Sequence, residues 1–183
     1  REQADKLPGV KLPENVKVSS DMEESLKGMD VVVMAVPSPV VRSVAKQMAP
    51  SIADGQIIVN VAKGIEDETY MTLTDIIEEE IPNAEVCVLS GPSHAEEVGR
   101  GIPTTVVVGS KKKEVAELLQ DVFMNEVFRV YTNPDIIGIE LGGALKNVIA
   151  LAAGTTDGLG FGDNTKAALM TRGIAELTRL GVA

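Results

Sequence analysis

The sequence is poor in the side chains that most often bind metals, form disulfides or stack on bases. Of its 183 residues, one is cysteine and one is histidine. The single thiol, Cys87, excludes an intramolecular disulfide and a cysteine metal cluster. The single imidazole, His94, excludes an HExxH-type zinc site, so no metal is expected. Tryptophan is absent, and two tyrosines and three phenylalanines leave few platforms for bases. Cations are in the minority: 17 Lys+Arg against 27 Asp+Glu give a net charge of −10. That balance opposes a phosphate backbone, so no nucleic-acid partner is expected. The longest apolar runs, such as Val148–Ala153, are too short to cross a bilayer, which argues against stable membrane insertion. No GxGxxG fingerprint occurs anywhere in the chain. An initiator methionine and a signal-like segment are lacking too, and Leu180-Gly181-Val182-Ala183 closes the chain in or just after a helical pattern. Both ends are therefore expected to continue.

What is present describes an ordinary globular protein, with 44% hydrophobic and 24% charged residues. Two hydrophobic periods alternate over the first ~130 residues. Val31–Val36 is a continuous apolar run stopped by Pro37 and reads as a strand buried on both faces. Strands are also expected at Gln56–Val61, Glu85–Leu89, Thr104–Val108 and Phe128–Tyr131. Helical spacing covers Ser38–Ala49, Met71–Ile81 and Lys113–Phe123. This alternation predicts an α/β fold with a mostly parallel sheet covered on both faces. Such sheets bind ligands outside the carboxyl ends of their strands. After Tyr131 the strand signal stops. Ile136, Ile139, Leu141, Leu145, Val148, Ile149 and Ala152 follow helical spacing, Asp157–Asn164 reads as a glycine-rich loop, and a last helix capped by Asp163 or Asn164 carries an Arg172–Glu176 pair. The organisation expected is a partial α/β domain over 1–132 and the start of an all-helical domain over 133–183.

Three constellations carry chemistry. Lys63, just past a buried strand, either projects its ammonium into the ligand crevice or is a solvated loop lysine. Ser93 either starts a helix through a capping box with Glu96 or offers that helix start to an anion. A serine nucleophile is disfavoured, because the only imidazole is the adjacent His94. Lys146 lies on an otherwise apolar helix. It either snorkels to water or is partly buried, in which case burial and a second cation would lower its pKa toward that of a general base. The acidic runs Asp21–Glu24 and Glu78–Glu80 read as solvated helix faces.

In chain order, Leu7-Pro8-Gly9-Val10, VMAVPS (33–38), VAKGIE (61–66), LSGPSHAE (89–96), ELGGALKNVIA (140–150) and GTTDGLGFGDNTKAALMTRG (154–173) closely resemble the bacterial NAD(P)-dependent glycerol-3-phosphate dehydrogenases. The match runs over essentially the whole chain, and its last two blocks are the most specific. The resemblance implies a Rossmann-type cofactor domain followed by an all-helical substrate domain. It implies hydride exchange between NAD or NADP and the pair sn-glycerol 3-phosphate and dihydroxyacetone phosphate, supplying glycerol 3-phosphate for phospholipid synthesis. By similarity Lys146 is the proton acceptor, and Lys63 touches both substrate and cofactor. Gly91, Ser93 and Asn147 fall at substrate positions, and Pro37 and Ala95 at cofactor positions. Ala62 stands where relatives often carry Ser or Thr. The resemblance places the pyrophosphate-binding glycine loop before Arg1 and further substrate-holding residues after Ala183. It also implies a cytoplasmic homodimer with an exposed apolar face on the helical part. Two alternatives remain beside it: a β-hydroxyacid-type dehydrogenase of the same superfamily, and a non-catalytic binding module.

Overall fold

A computed structural model describes residues 2–3 and 7–183. The element order is β1 (Glu2–Gln3), β2 (Leu7–Lys11), α1 (Met22–Leu26), β3 (Val31–Met34), α2 (Val41–Met48), β4 (Ile57–Asn60), α3 (Leu73–Glu80), β5 (Glu85–Ser90), α4 (Ala95–Gly99), β6 (Thr104–Gly109), α5 (Lys113–Phe123), β7 (Phe128–Asn133), α6 (Ile136–Gly158) and α7 (Gly162–Val182). Five strands form one sheet in the order β3-β4-β5-β6-β7. Pairing is parallel except between β5 and β6. β1 and β2 form a separate antiparallel pair.

Alternation along the strands divides the core in two, because successive side chains point to opposite faces. Ile58 and Val86 face one side, where Val41, Ala45 and Met48 of α2 and Leu73, Ile76 and Ile77 of α3 cover them. Val59, Cys87 and Leu89 face the other, with Val106, Val108, Val130 and Ala116 and Leu119 of α5. The expected sheet covered on both faces is thus formed, with Cys87 a buried core thiol.

Local differences from the sequence reading have local causes. Ser38–Val40 is a 3-10 turn before α2, with its proline in the first turn. α6 continues to Gly158, past the expected loop start at Asp157. The Thr155 and Thr156 hydroxyls donate back to the Leu151 and Ala153 carbonyls, so these residues bond within the helix. The turn is confined to 159–161, and Gly160 (φ 72°) supplies its left-handed residue. Neither Asp163 nor Asn164 caps α7. The helix already starts at Gly162, behind Phe161, with no side-chain cap. Asp157 reaches across to Lys166 instead, at 2.6 Å, and the Arg172–Glu176 pair is present at 2.5 Å.

The 23 residues of α6 are long and apolar enough to cross a membrane by length and composition. Run length underestimates this helix, because Lys146-Asn147 divides its apolar residues. It nevertheless carries Glu140 and Lys146 and packs on β5 and α7.

The Glu78–Glu80 run is less solvated than expected. Arg42 of α2 holds Glu66 through two bonds of 2.8 Å, Glu79 at 2.6 Å and Glu80 at 2.6 Å. Glu78 pairs with Lys111. Arg42 therefore joins α2, α3 and the segment after β4, and its bonds to Glu66 hold that carboxyl near pH 2 instead of 4.5. A carboxyl depressed on folding contributes stability that is complete above its unfolded value and is lost as pH falls toward the folded one. Arg42→Met should therefore lower the urea midpoint at pH 7. It should also flatten the loss of stability between pH 4.5 and 2, and an equally steep acid limb in both proteins would contradict this account.

Candidate active site

The carboxyl ends of β3, β4 and β5 lie on one edge of the sheet, because these strands are parallel and in register. Pro37 follows β3, Lys63 follows β4, and Gly91 to Ser93 follow β5. Asn60, fully buried at the end of β4, shapes the first residues of its loop. Its Oδ1 accepts from the Ala62 N–H at 3.1 Å, and its Nδ2 donates to the Ala62 carbonyl at 3.2 Å. Gly64 lies so close to Ser38 that a Cβ would stand 2.7 Å from the serine Cβ. A Cβ on Gly91 would stand 2.8 Å from the Thr105 carbonyl oxygen. A side chain at Gly64 would push its loop from the turn at Ser38, and one at Gly91 would press on the backbone of β6, since close-packed atoms have no room to yield.

Lys63, Gly91 and Ser93 form one hydrogen-bonded group. Lys63 Nζ donates to Ser93 Oγ at 3.4 Å, and Ser93 Oγ donates to the Gly91 carbonyl at 3.3 Å. The capping box of Ser93 with Glu96 does not form. α4 starts after His94, which makes no side-chain cap, and Glu96 pairs with His94 Nδ1 at 2.6 Å. Ser93 faces the lysine instead of closing a helix, and Lys63 is partly buried at the edge instead of lying in a solvated loop.

Helix α6 brings the second lysine to the same edge. Near its start, Ile136 and Ile139 lie against Gly109, where a Cβ would stand 2.8 Å from Ile139 Cδ1 and 2.8 Å from Val88 Cγ1. Four residues on, a Cβ on Gly143 would stand 2.9 Å from Ser90 Oγ and 3.5 Å from Lys63 Cγ. Four helical residues rise about 6 Å, and the two strand steps from Val88 to Ser90 about 6.6 Å. The helix therefore climbs alongside β5, and Lys146 emerges about one turn beyond Gly143, past the strand end. Lys146 is exposed, with its Nζ donating to Asn147 Oδ1 at 2.9 Å. Of the two sequence readings, the structure shows a lysine open to solvent, not a buried one. The pKa of Lys63 is lowered, through its own burial first and the charge of Lys146 second. The two ammonium groups are thus within electrostatic reach. Pro37, just past β3, and Ala95, the first residue of α4, are both exposed.

Four supporting residues escaped the sequence reading. Asn60 and Ser90 are polar ends of apolar strands, a signal that was present. Glu140 is the third: an acid on an apolar helix, the same anomaly that singled out Lys146. It is 6% exposed, and its Oε1 accepts from the Thr74 N–H at 3.0 Å while Oε2 accepts from the Thr74 hydroxyl. Burial pushes its carboxyl pKa up against those bonds. Thr74, its partner, had no signal, because the pairing spans 66 positions of sequence.

The residues at the sheet edge fit a dinucleotide. Lys63 sets a half-buried ammonium at the carboxyl edge of parallel strands, where such ligands lie. Comparison with known proteins is consistent with that chemistry. The family domain described as NAD-dependent glycerol-3-phosphate dehydrogenase N-terminus matches residues 1–116, and the corresponding C-terminus matches residues 135–183. A glycerol-3-phosphate dehydrogenase [NAD(P)+] of Agathobacter rectalis is 63% identical over 99% of this chain and 54% of its own length. That of Fusobacterium nucleatum is 60% identical over 100% of this chain and 55% of its own. The chain thus spans about half the length of the curated relatives it matches. The crystal structure of the Coxiella burnetii glycerol-3-phosphate dehydrogenase superposes with a TM-score of 0.86 at 37% identity, covering 95% of this chain and 53% of that one. The Saccharomyces cerevisiae enzyme gives 0.89 at 29% identity, covering 98% and 54%. The sheet with its helices is accordingly of the Rossmann type, and the chain belongs to the NAD-dependent glycerol-3-phosphate dehydrogenase family.

Proposed function

We propose that the protein transfers hydride reversibly between NAD(P)H and dihydroxyacetone phosphate, forming sn-glycerol 3-phosphate for phospholipid synthesis. The observation that carries this reading is the convergence of Lys63 and Lys146 on one edge of the sheet, close enough that the charge of one lowers the pKa of the other. Bound there, NAD(P) supplies the site that gives or takes the hydride, and Pro37, Lys63 and Ala95 would hold it. Oxidising a secondary alcohol requires a base for the hydroxyl proton and a cation beside the developing alkoxide. Lys146 takes the base role, exchanging its proton at the substrate C2 oxygen. Lys63, fixed by Ser93 Oγ, stabilises charge on that oxygen. Gly91, Ser93 and Asn147 line the substrate side. Two ammonium groups also attract an anionic phosphate ester, because the local field decides binding despite the net negative charge.

A second assignment of roles has one observation in its favour. Lys63 has a lowered pKa, which suits a base. On that reading Lys146 is the charge-stabilising cation. We further propose that residues 1–132 serve the cofactor and residues 133–183 open the substrate domain. A cytoplasmic homodimer completes the proposal, supported by exposed apolar residues on α6 and α7 such as Val148, Leu151 and Ile174.

In the full-length protein, Lys146→Ala should lower kcat at least ~10²-fold, the scale of lost general-base catalysis. An unchanged kcat would overturn the role of this residue. Lys63→Ala should raise KM and lower kcat together; if both stay at their wild-type values, Lys63 has no part in the site. Arginine variants separate the two assignments, because a guanidinium keeps its charge and cannot serve as a base near neutral pH. If Lys146 is the base, Lys63→Arg retains more activity than Lys146→Arg, and the reverse order assigns the base to Lys63.

A further inference from the structure

We propose that Glu140 is a positioning residue that sets the separation between Lys63 and Lys146 by anchoring α6 to the first turn of α3. The inference rests on the two-lysine reading above and extends it. Glu140 is a buried acid with no basic residue among its hydrogen-bond partners. Its carboxylate meets the backbone N–H and hydroxyl of Thr74, near the start of α3. Thr72 Oγ1 caps α3 by accepting from the Asp75 N–H at 3.3 Å, and it stands 3.3 Å from Thr74 Oγ1. The Thr74 hydroxyl donates to Glu140, and the Thr72 hydroxyl bonds it as well.

This anchor joins the elements that carry the two lysines. Thr72 forms an isolated antiparallel bridge with Ile65, two residues past Lys63. The Lys63 segment is therefore fixed to the start of α3. Glu140 fixes α6 to that same point, three residues before Gly143, which lies against Ser90 and the Lys63 stem. Both lysines are thus referred to one small group of threonines. Glu140 acts through position and not as a counter-ion, because burial and Lys146 are what lower the Lys63 pKa.

The test uses the full-length protein and two independent readouts, turnover and the pH dependence of Lys63 acylation by acetic anhydride, followed by mass spectrometry. Glu140→Gln keeps an acceptor for the Thr74 N–H and should retain kcat within about threefold. Glu140→Ala should lower kcat at least tenfold. It should also move the Lys63 acylation midpoint to higher pH, toward that of Lys146→Ala, because the charge of Lys146 is no longer held close. Thr74→Val is the milder variant, which loses only the hydroxyl, and it should shift both readouts in the same direction. An acylation midpoint unchanged in both Glu140→Ala and Thr74→Val overturns the positioning role, whatever the turnover. A wild-type protein without turnover whose acylation midpoint still follows Glu140 would overturn the dehydrogenase reading and leave the positioning role supported.

Discussion

Parallel pairing of β4 with both β3 and β5 is the constraint on which the rest depends. Parallel neighbours cannot be joined by tight turns, so each crossing takes a helix over the sheet. The same pairing delivers the three strand ends to one edge. Pro37, Lys63 and Ser93 stand in the loops just beyond those ends, and α2 and α3 exist in their places because the crossings demand them. Arg42 shows how the crossings were made mutually rigid. One guanidinium holds carboxylates from α3 and from the segment after β4, so the two helices and the Lys63 segment are tied together. The Lys63 side chain therefore projects from a braced loop, although the loop has little regular structure of its own.

The strands and long helices were legible because period and length coincide in them. Lys113–Phe123 is bounded in the structure as its spacing predicted, and the Val31, Gln56 and Glu85 runs differ from the observed strands by only a residue or two. Lys63 and Lys146 were legible as well, each through its position against an apolar background. Short elements were not. α4 is five residues long, and there the ammonium of Lys63 and the carboxylate of Glu96 found partners other than those a capping box would give Ser93. The orientation of β6 was also unreadable, since a run such as Thr104–Gly109 has the same composition in either direction. The connection between strands decides that orientation, not the strand itself.

Helix α6 illustrates a similar limit. Much of its surface is open, and the residues that matter for its placement are a glycine and an acid. Gly143 allows the helix backbone to approach the strand end, and Glu140 fixes how far along the sheet it sits. Neither role follows from periodicity, because each depends on what stands opposite after folding. A sequence scan finds such positions as exceptions to a pattern, and only the folded partner explains them.

The one reversed pairing, between β5 and β6, has a directional consequence. Because β6 and β7 both run against the first three strands, the chain leaves Asn133 on the far side of the sheet from Lys63. The next helix must then travel back toward the strand ends, and Lys146 is carried there simply by its distance along that path. Had β6 and β7 continued in the common direction, the same helix would have departed from the rim that holds Lys63. Its lysine would have been delivered to the opposite side of the molecule. Bringing two distant cations to one place is, in this fold, a matter of the parity of strand reversals.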